Sequence, residues 1–197
     1  ISACYVSPTD TNILYIGSKS GGFWKSIDGG NSWDGTTDFL YASGVNTIAV
    51  SPTNSDSVLI NIQSSKGPSN SGGSSHGVYR SVDGGDSWVM TNFNPSVLGL
   101  GGLGSSFRIG KIAYHPTAPN LVFILTTNGL YRSDDNLQSW TIVSSLITSG
   151  FPSWSDDFEF HPTNPNIIYA NAFSQGGPSL VISNDMGVSF PIIITLP

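Results

Sequence analysis

The sequence predicts an all-β fold, a β-propeller built from four-stranded antiparallel blades, and three observations support it. First, an eight-residue phrase, SIDGGNSW in its first copy, recurs in related form with its opening serine at positions 26, 81, 133 and 183, which are 55, 52 and 50 residues apart. Second, another phrase, such as HPTNPNIIYAN, precedes each copy. Third, no stretch has a helical period. A repeat of about 50 residues with short strands indicates propeller blades.

The strands are predicted from short β-branched and aromatic runs that end at turn residues. In the second repeat these runs cover residues 46–50, 58–62, 77–81 and 88–91, as strands A to D of one blade. The third repeat gives 111–114, 121–126, 130–133 and 140–143, and the fourth gives 158–160, 167–170, 180–183 and 190–195. We therefore expect one partial propeller domain over residues 1–197, with blades near 1–43, 44–106, 107–147 and 148–197.

The repeated phrase connects strands C and D, and its residue types suit a tight turn. An aspartate can accept hydrogen bonds from the backbone of its own turn, and glycine supplies a positive φ. The aromatic residue that closes the phrase is predicted to begin strand D and to cover the seam between sheets. The third copy has Asn136 and Leu137 in place of the glycines, and the fourth has Met186 before its glycine, so these two turns are expected to be less ideal. The residues assigned a structural role are Ser26, Asp28, Gly30, Trp33, Ser81, Asp83, Gly85, Trp88, Ser133, Asp135, Trp140, Ser183, Asp185, Gly187 and Phe190.

Composition and charge restrict the class of partner. The chain has 38% hydrophobic residues, enough for a packed core, but only 10% charged residues, a balance more typical of secreted proteins. Its net charge of −6, with seven Lys and Arg, provides no basic surface for nucleic acid. Cys4 is a lone cysteine, so no internal disulfide can form. The start at Ile1, without Met or a signal-like segment, predicts a processed or excised chain.

The motif S-x-D-x-G-x-x-W, preceded by [SH]-P-T-x-x-N-x-x-Y, resembles the Asp-box (BNR) repeat family over essentially the whole chain. Proteins with such boxes include sialidases, xyloglucanase-type glycoside hydrolases, the sortilin-type receptor domain, photosystem assembly factors and secreted bacterial surface propellers. The resemblance implies a propeller with more than four blades. The four blades here would then need the remaining blades, or another chain, to close the ring.

Catalytic candidates are few. Sialidase chemistry, in the family that the box resembles, needs an arginine cluster, but Arg80 and Arg132 occupy the same position before the box serine as Lys25 and are expected to be structural. Glycosidase chemistry needs two carboxyl groups. Asp156, Asp157 and Glu159, at the entry to strand A of the fourth blade, are the candidates, although solvated loop acids are the simpler interpretation.

No metal or cofactor is expected. The first box, residues 26–33, supplies one acid, whereas a calcium loop needs several oxygen ligands. His115 and His161 occupy the position held by Ser7 and Ser51, which indicates a turn role. The run LGLGGLG at residues 98–104 lacks the Lys-Ser/Thr ending of a phosphate loop.

Irregular loops provide the binding candidates, because function on a regular scaffold usually lies in variable loops. The irregular segments are 63–76, 94–106 and 148–155, on the face opposite the boxes. We expect ligand contacts there from aromatic rings that could stack on sugars or peptide side chains and from two further residues, namely Phe107, Arg108, Phe151, Trp154 and His76. Burial of Phe107 and Trp154 in the seams is the alternative.

Three functions remain open from sequence. The favoured one is a non-catalytic propeller, extracellular or at the cell surface, that binds a polysaccharide or protein partner through the loop-rich face. The second is part of an endo-acting glycoside hydrolase resembling the xyloglucanases, with one carboxylate from Asp156 or Asp157 and the other outside this chain. The third is an assembly factor that docks on another protein through the box face. Nucleic acid and direct membrane insertion are not expected.

Overall fold

The computed structural model describes residues 1–40, 42, 44–64, 74–99, 107–143, 157–174 and 177–195. These residues form four antiparallel sheets of four strands each, and the strands of each sheet are consecutive along the chain. We call the sheets blades I to IV. Blade I contains β1 (Ala3–Val6), β2 (Leu14–Ser18), β3 (Gly22–Ser26) and β4 (Asp34–Gly35); blade II contains β5 (Gly44–Ser51), β6 (Asn54–Gln63), β7 (Ser75–Ser81) and β8 (Val89–Met90); blade III contains β9 (Ile109–His115), β10 (Ala118–Thr126), β11 (Gly129–Ser133) and β12 (Thr141–Ile142); blade IV contains β13 (Phe158–Phe160), β14 (Ile168–Ser174), β15 (Gly177–Ser183) and β16 (Ile192–Thr195).

The all-β prediction is confirmed, and the strand bounds differ from it in a systematic way. Strand B of blade II begins at Asn54, four residues before the predicted start, because β5 and β6 pair up to Ser51 and Asn54. The outermost strands begin after the box aromatic rather than at it, as at Val89, which follows Trp88. The aromatic side chains turn into the protein, where Trp88 is 7% exposed and Phe190 2% exposed. The described residues contain no helix long and apolar enough to cross a membrane.

Adjacent blades pack through buried apolar clusters, which we call seams I–II, II–III and III–IV. Seam I–II joins Tyr15 and Phe23 of blade I to the β5, β6 and β7 side chains of blade II. Seam II–III joins Leu59 and Val78 to strands β9 and β10. Seam III–IV joins Phe123 and neighbouring residues to β13, β14 and β15. Apolar burial between sheets, rather than within one sheet, therefore stabilises the arrangement.

The box turns take part in these seams. Gly85, in the second box, lies against the ring of Phe23, and Gly187, in the fourth box, lies against the ring of Phe123. Leu137 holds the equivalent position in the third box and is 3% exposed within seam II–III. Each of these boxes is thus a turn for its own blade and a packing surface for the preceding one.

A cation on strand C supplies a second link across each seam. Lys25 Nζ lies 3.0 Å from Asp86 Oδ1 of the second box. Arg80 donates to the carbonyl of Asn136, and Arg132 Nε donates to the carbonyl of Met186 at 3.1 Å. These contacts give a structural role to the three basic residues that precede the box serines.

An irregularity in the innermost strand of blade II strengthens seam II–III. The pairing register of β5 with β6 shifts between Val45 and Ile48, which is the signature of a bulge that redirects side chains. Asn46 Nδ2 donates to the Ile109 carbonyl at 2.6 Å, and the Ile112 amide donates to Thr47 Oγ1 at 3.1 Å. The bulge therefore ties the innermost strands of two blades together beside the groove described below.

Candidate binding groove along the innermost strands

The aspartate of each Asp-box turn is fully engaged in hydrogen bonds to its own turn. In the first box, Asp28 Oδ1 accepts from the Ser32 amide at 2.9 Å and from Ser26 Oγ at 2.8 Å, and Oδ2 accepts from Ser32 Oγ at 2.6 Å. Ser26 Oγ in turn accepts from the Gly30 amide at 2.8 Å. The same pattern recurs in the other three boxes.

These hydrogen bonds favour the ionised form of the aspartates. Hydrogen bonds from Ser32 and Ser26 lower the pKa of Asp28 to about 2, and those from Ser139 and Ser133 lower the pKa of Asp135 to about 2. A carboxylate that accepts these donors at neutral pH is committed to the turn and cannot serve as a general acid. The box aspartates are therefore scaffold residues.

The third box keeps the same turn without either of its glycines, and the fourth keeps it with Met186 in place of the first glycine. Asn136, Leu137 and Met186 have φ values of 57°, 66° and 58°, the left-handed region that L side chains rarely adopt. Asparagine tolerates this region, whereas Leu137 is held there because its side chain fills seam II–III. The two turns keep the hydrogen bonds of the first two boxes, and their departure from an ideal turn is a left-handed backbone at residues other than glycine.

A groove of about 430 Å³ runs along the innermost strands β1, β5, β9 and β13. Its wall mixes aromatic, aliphatic and polar groups, which include Tyr5, Asn46, Ile48, Lys111, Tyr114 and Glu159. Since one strand from every blade contributes, the groove exists only when the blades are assembled around a common axis. Pockets with a largely apolar wall and a few placed polar groups are typical ligand sites.

Lys111 organises the charged end of this groove. Its Nζ lies 2.7 Å from Asp157 Oδ1, 2.5 Å from Glu159 Oε1 and 2.7 Å from the carbonyl oxygen of Phe158. The same Nζ is 5.2 Å from the centroid of the Phe158 ring, within cation–π range. The Lys111 side chain is 27% exposed, while those of Asp157 and Glu159 are 59% and 69% exposed. One ammonium from blade III thus holds two accessible carboxylates of blade IV.

A second group of predicted residues meets at the starts of β7 and β9. The Ser75 amide donates to the Phe107 carbonyl at 2.9 Å. His76 and Arg108, which follow Ser75 and Phe107 in the sequence, are therefore next to this hydrogen bond. Burial lowers the pKa of the half-buried His76. Phe107 is 3% exposed within seam II–III, which differs from the exposed stacking platform expected for it. The alternative, a seam residue, is what the structure shows.

Other predicted residues are accounted for as follows. Asp156, Phe151 and Trp154 lie outside the described residues. His115 and His161 both accept an amide hydrogen bond from the threonine two residues later, at 3.3 and 3.2 Å, as Ser7 does from Thr9 at 3.3 Å. Within the described ranges, no group of three or more His, Cys, Asp or Glu side chains could hold a metal ion.

Sequence reasoning missed two features of the site and scaffold. The sequence predicts only a strand position for Lys111, and no local pattern distinguishes it, because its partners lie 46 and 48 residues away in the chain. The serine at the seventh box position, such as Ser32, was not identified as a partner of the aspartate. Its recurrence in all four copies, at positions 32, 87, 139 and 189, was a usable signal.

The fold is similar to that of several solved propeller proteins. A GH74 xyloglucanase from Xanthomonas campestris has a TM-score of 0.71 and 20% identity, over 100% of this chain and 31% of that chain. A GH74 enzyme from Niastella koreensis has a TM-score of 0.68 and 18% identity, over 95% of this chain and 28% of that one. YCF48 from Cyanidioschyzon merolae has a TM-score of 0.61 and 15% identity, over 98% of this chain and 55% of that chain.

These likenesses establish the fold alone. The chain spans about a third or less of the GH74 enzymes and about half of YCF48. No family model matches the sequence, and no curated protein sequence matches it either. Membership of the Asp-box family stays a prediction from the motif. The chain has the fold of a β-propeller and contains four of its blades, with an accessible groove along the innermost strands.

Proposed function

We propose that this chain is part of an Asp-box propeller, extracellular or displayed at the cell surface, that binds a polysaccharide or protein partner without catalysing a reaction. The observation that carries the proposal is the arrangement of Lys111 and Glu159 in the groove wall, with Asp157 held beside them by the Lys111 ammonium. It provides charged groups for recognition in a setting that does not favour a general acid.

Acid catalysis by a carboxyl group requires an environment that keeps it protonated, such as burial or a neighbouring like charge without a counter-ion. Asp157 and Glu159 are 59% and 69% exposed and share the ammonium of Lys111. Neither carboxyl group has the buried setting of a general acid. Exposed charged groups of this kind instead suit hydrogen bonding to hydroxyl groups or to polar side chains of a partner.

The groove wall supports recognition of an extended ligand. Tyr5 and Phe160 both line the groove and are half-buried, so each leaves part of its surface accessible there. Aromatic faces next to polar groups are a common arrangement for sugar rings and peptide side chains alike. The low overall charge density of the chain, 10% of residues, also suits a neutral polymer.

The proposal is tested by measuring binding and hydrolysis side by side. Affinity electrophoresis and calorimetry with soluble xyloglucan and mixed-linkage β-glucan should show binding, and a reducing-end assay on the same mixtures should show no product. Lys111→Met should weaken the binding, while Lys19→Met, at an exposed lysine outside the groove, should leave it unchanged. If the chain releases reducing ends and Asp157→Asn abolishes that release, the binding proposal is wrong and the chain is part of an enzyme.

A glycoside hydrolase resembling the xyloglucanases is the second candidate. The observation that favours it is that Lys111 brings together two carboxylates of blade IV. Glu159 lies on β13 in the groove wall, and Asp157 directly precedes β13. Since the chain covers 31% of the Xanthomonas campestris xyloglucanase, the second catalytic carboxylate could belong to a part of the ring outside this chain. Activity would then require the added blades.

The assembly-factor alternative predicts a different surface. Docking through the box face would involve exposed apolar box residues, of which Ile27, Val82 and Val188 are 66%, 73% and 60% exposed. Substituting these three residues by Ser should abolish capture of a protein partner under that alternative. The same substitutions should leave a groove-bound ligand unaffected.

A further inference from the structure

Blades I to III each carry a cation on strand C, directly before the box serine, and the cation of blade II differs from the other two. Lys25 pairs with Asp86 of the next box, and Arg132 pairs with Asp134 of its own box. Arg80 forms no ion pair with any carboxylate of the described residues. Because Arg80 lies between blades II and III, both inside this chain, the difference does not depend on where the chain begins or ends.

Two box positions account for this difference. The position of Asp86 is held by Gln138 in the third box, across seam II–III from Arg80. The position of Asp134 is held by Val82 in the second box. The two carboxylates that pair with the other strand C cations are thus both replaced by neutral side chains around Arg80.

The seam uses only part of the Arg80 guanidinium. Its Nη2 donates to the backbone carbonyl and to the side-chain oxygen of Asn136. Among the described residues, the buried Nε has no hydrogen-bond partner. The planar guanidinium carries several N–H donors in a fork that matches a carboxylate, and such a pair is stronger than a hydrogen bond between neutral groups. Arg80 therefore retains the capacity to bind a carboxylate from outside the chain.

Arg80 lines an open cleft of about 260 Å³ between the outer strand of blade II and the third box, which we call the Arg80 cleft. Its wall also includes Val82, Val89, Leu137 and Gln138. Val82 and Val89 are 73% and 71% exposed, and Val89 lies beside Arg80 because the two residues pair across β7 and β8. The cleft combines one cation with an apolar rim, and none of its lining residues contributes to the groove.

The size and the wall of the Arg80 cleft favour side chains of a peptide over a sugar chain. Pockets that hold a whole small-molecule ligand usually have volumes of about 300–1,000 Å³. The 260 Å³ of this cleft is below that range and suits one or two side chains. None of the residues that line the cleft is aromatic, so a sugar ring finds no face on which to stack.

The backbone beside the cleft is arranged to accept an extended segment. Strand β8 is the edge strand of its sheet. The Thr91 amide donates to the Val78 carbonyl, and backbone groups of successive residues in an antiparallel strand point to opposite sides. The N–H and C=O of Met90, which also lines the cleft, therefore point away from β7. An added strand can pair with them, as in recognition of peptides by sheet edges.

We propose that the Arg80 cleft binds an extended, partly apolar segment of a protein partner through a carboxylate side chain that pairs with Arg80. The segment adds to β8 as a further strand of blade II, and its apolar side chains pack on Val82 and Val89. Its carboxylate provides the counter-ion that Asp86 and Asp134 provide for the other two cations. In a chain with a net charge of −6, this cation is a local exception that selects an acidic group. The site is separate from the groove, so the inference is independent of the groove ligand.

The test is an NMR titration of the isotope-labelled 197-residue chain. The probes are the peptides acetyl-TVEVT-amide and acetyl-TVQVT-amide, which differ only in the charge of the central side chain. The glutamate peptide should shift the Nε–H signal of Arg80 and the backbone amide signal of Met90 in a saturable manner. The glutamine peptide should bind about tenfold more weakly or worse, which is the factor for loss of a hydrogen bond between charged groups.

Val82→Asp is the decisive variant, because it places a carboxylate beside Arg80 at the box position from which Asp134 pairs with Arg132. It keeps the arginine and changes an exposed residue, yet it should weaken binding of the glutamate peptide about tenfold or more. Asn184→Asp is the matched control, since it adds the same charge at the same box position of blade IV, outside the cleft, and should bind normally. Arg80→Met should lose binding, whereas Arg132→Met should keep it. Near-UV circular dichroism checks that each variant is folded.

The proposal is overturned if the two peptides shift the Arg80 signal equally, or if neither shifts it up to its solubility limit. It is also overturned if Val82→Asp binds the glutamate peptide as well as the unmodified chain does. A trimer of galacturonic acid is the third probe. Tighter binding of this trimer than of the glutamate peptide, with the same signals shifted, would assign the cleft to an acidic polysaccharide and overturn the peptide site.

Discussion

Substitution of Gly85 by alanine tests the conclusion that the box turns are also packing surfaces. Gly85 has a φ of 96°, and a Cβ at this position would lie 2.7 Å from Cε1 of Phe23. The Phe23 ring cannot easily move, because it is fully buried with its centroid 5.6 Å from that of Tyr15 and 4.9 Å from that of Trp88. The left-handed backbone costs about 1–2 kcal/mol for an L residue, and overpacking costs about 1–3 kcal/mol.

The expected loss in the free energy of unfolding for Gly85→Ala is therefore about 2–5 kcal/mol, the combined range of the two effects. Gly29→Ala is the matched control, since Gly29 lies in the first box with a φ of 70° and its nearest atom to an added Cβ is Asn12 Oδ1 at 3.8 Å. The control should lose only the backbone part, about 1–2 kcal/mol. Urea unfolding followed by tryptophan fluorescence measures both.

A double-mutant cycle with Phe23→Ala separates packing from backbone strain. Phe23→Ala alone should cost about 3–5 kcal/mol because it leaves a cavity in seam I–II. In the double variant, Phe23→Ala with Gly85→Ala, the loss in the free energy of unfolding should be smaller than the sum of the two single losses, because the cavity accepts the added methyl group. Equal losses for Gly85→Ala and Gly29→Ala, or strict additivity in the cycle, would refute the packing role of the box glycine.

Three further predictions follow from the same contacts. Ser81→Ala should cost about 1–3 kcal/mol in urea unfolding, because Ser81 is 1% exposed and the Gly85 amide, which donates to its Oγ at 2.7 Å, would be left without that acceptor; an unchanged midpoint would contradict the assignment. Burial lowers the pKa of His115, and the charge of Arg132 lowers it further, so the unfolded chain binds the proton at a higher pH than the folded chain. The contribution of His115 to stability should therefore be complete above about pH 6.5 and decrease below it. His115→Ser should remove this part of the pH dependence of the urea midpoint. Lys111→Met should change the free energy of unfolding by less than about 1 kcal/mol, because its ion pairs are exposed, and a larger loss in thermal denaturation would mean that Lys111 is mainly structural.

The residues around the groove include two that the sequence identifies and one that it does not. Asp157 and Glu159 are candidates from their acidic type and their place at the entry to a strand, and the structure places Glu159 in the groove wall and Asp157 on the same Lys111 ammonium. Lys111 was not identified, because an ammonium that bridges two carboxylates of another blade has no signature in its own strand. Phe107 shows the opposite limit: an aromatic residue next to an irregular loop can face solvent or a seam, and only packing decides between them.

The sequence by itself determined the repeating unit: the number of blades in this chain, the order of their strands, and the turn that joins strands C and D. These features depend on local hydrogen bonds and on the alternation of side chains, which residues close in sequence control. Only the tertiary structure decided how the blades meet. Three features depend on residues from different blades: the contact of Gly85 with Phe23, the packing that holds Leu137 in a left-handed backbone, and the ion pairs of Lys111 with two carboxylates. Their energies depend on distances between sheets, which a local pattern does not encode.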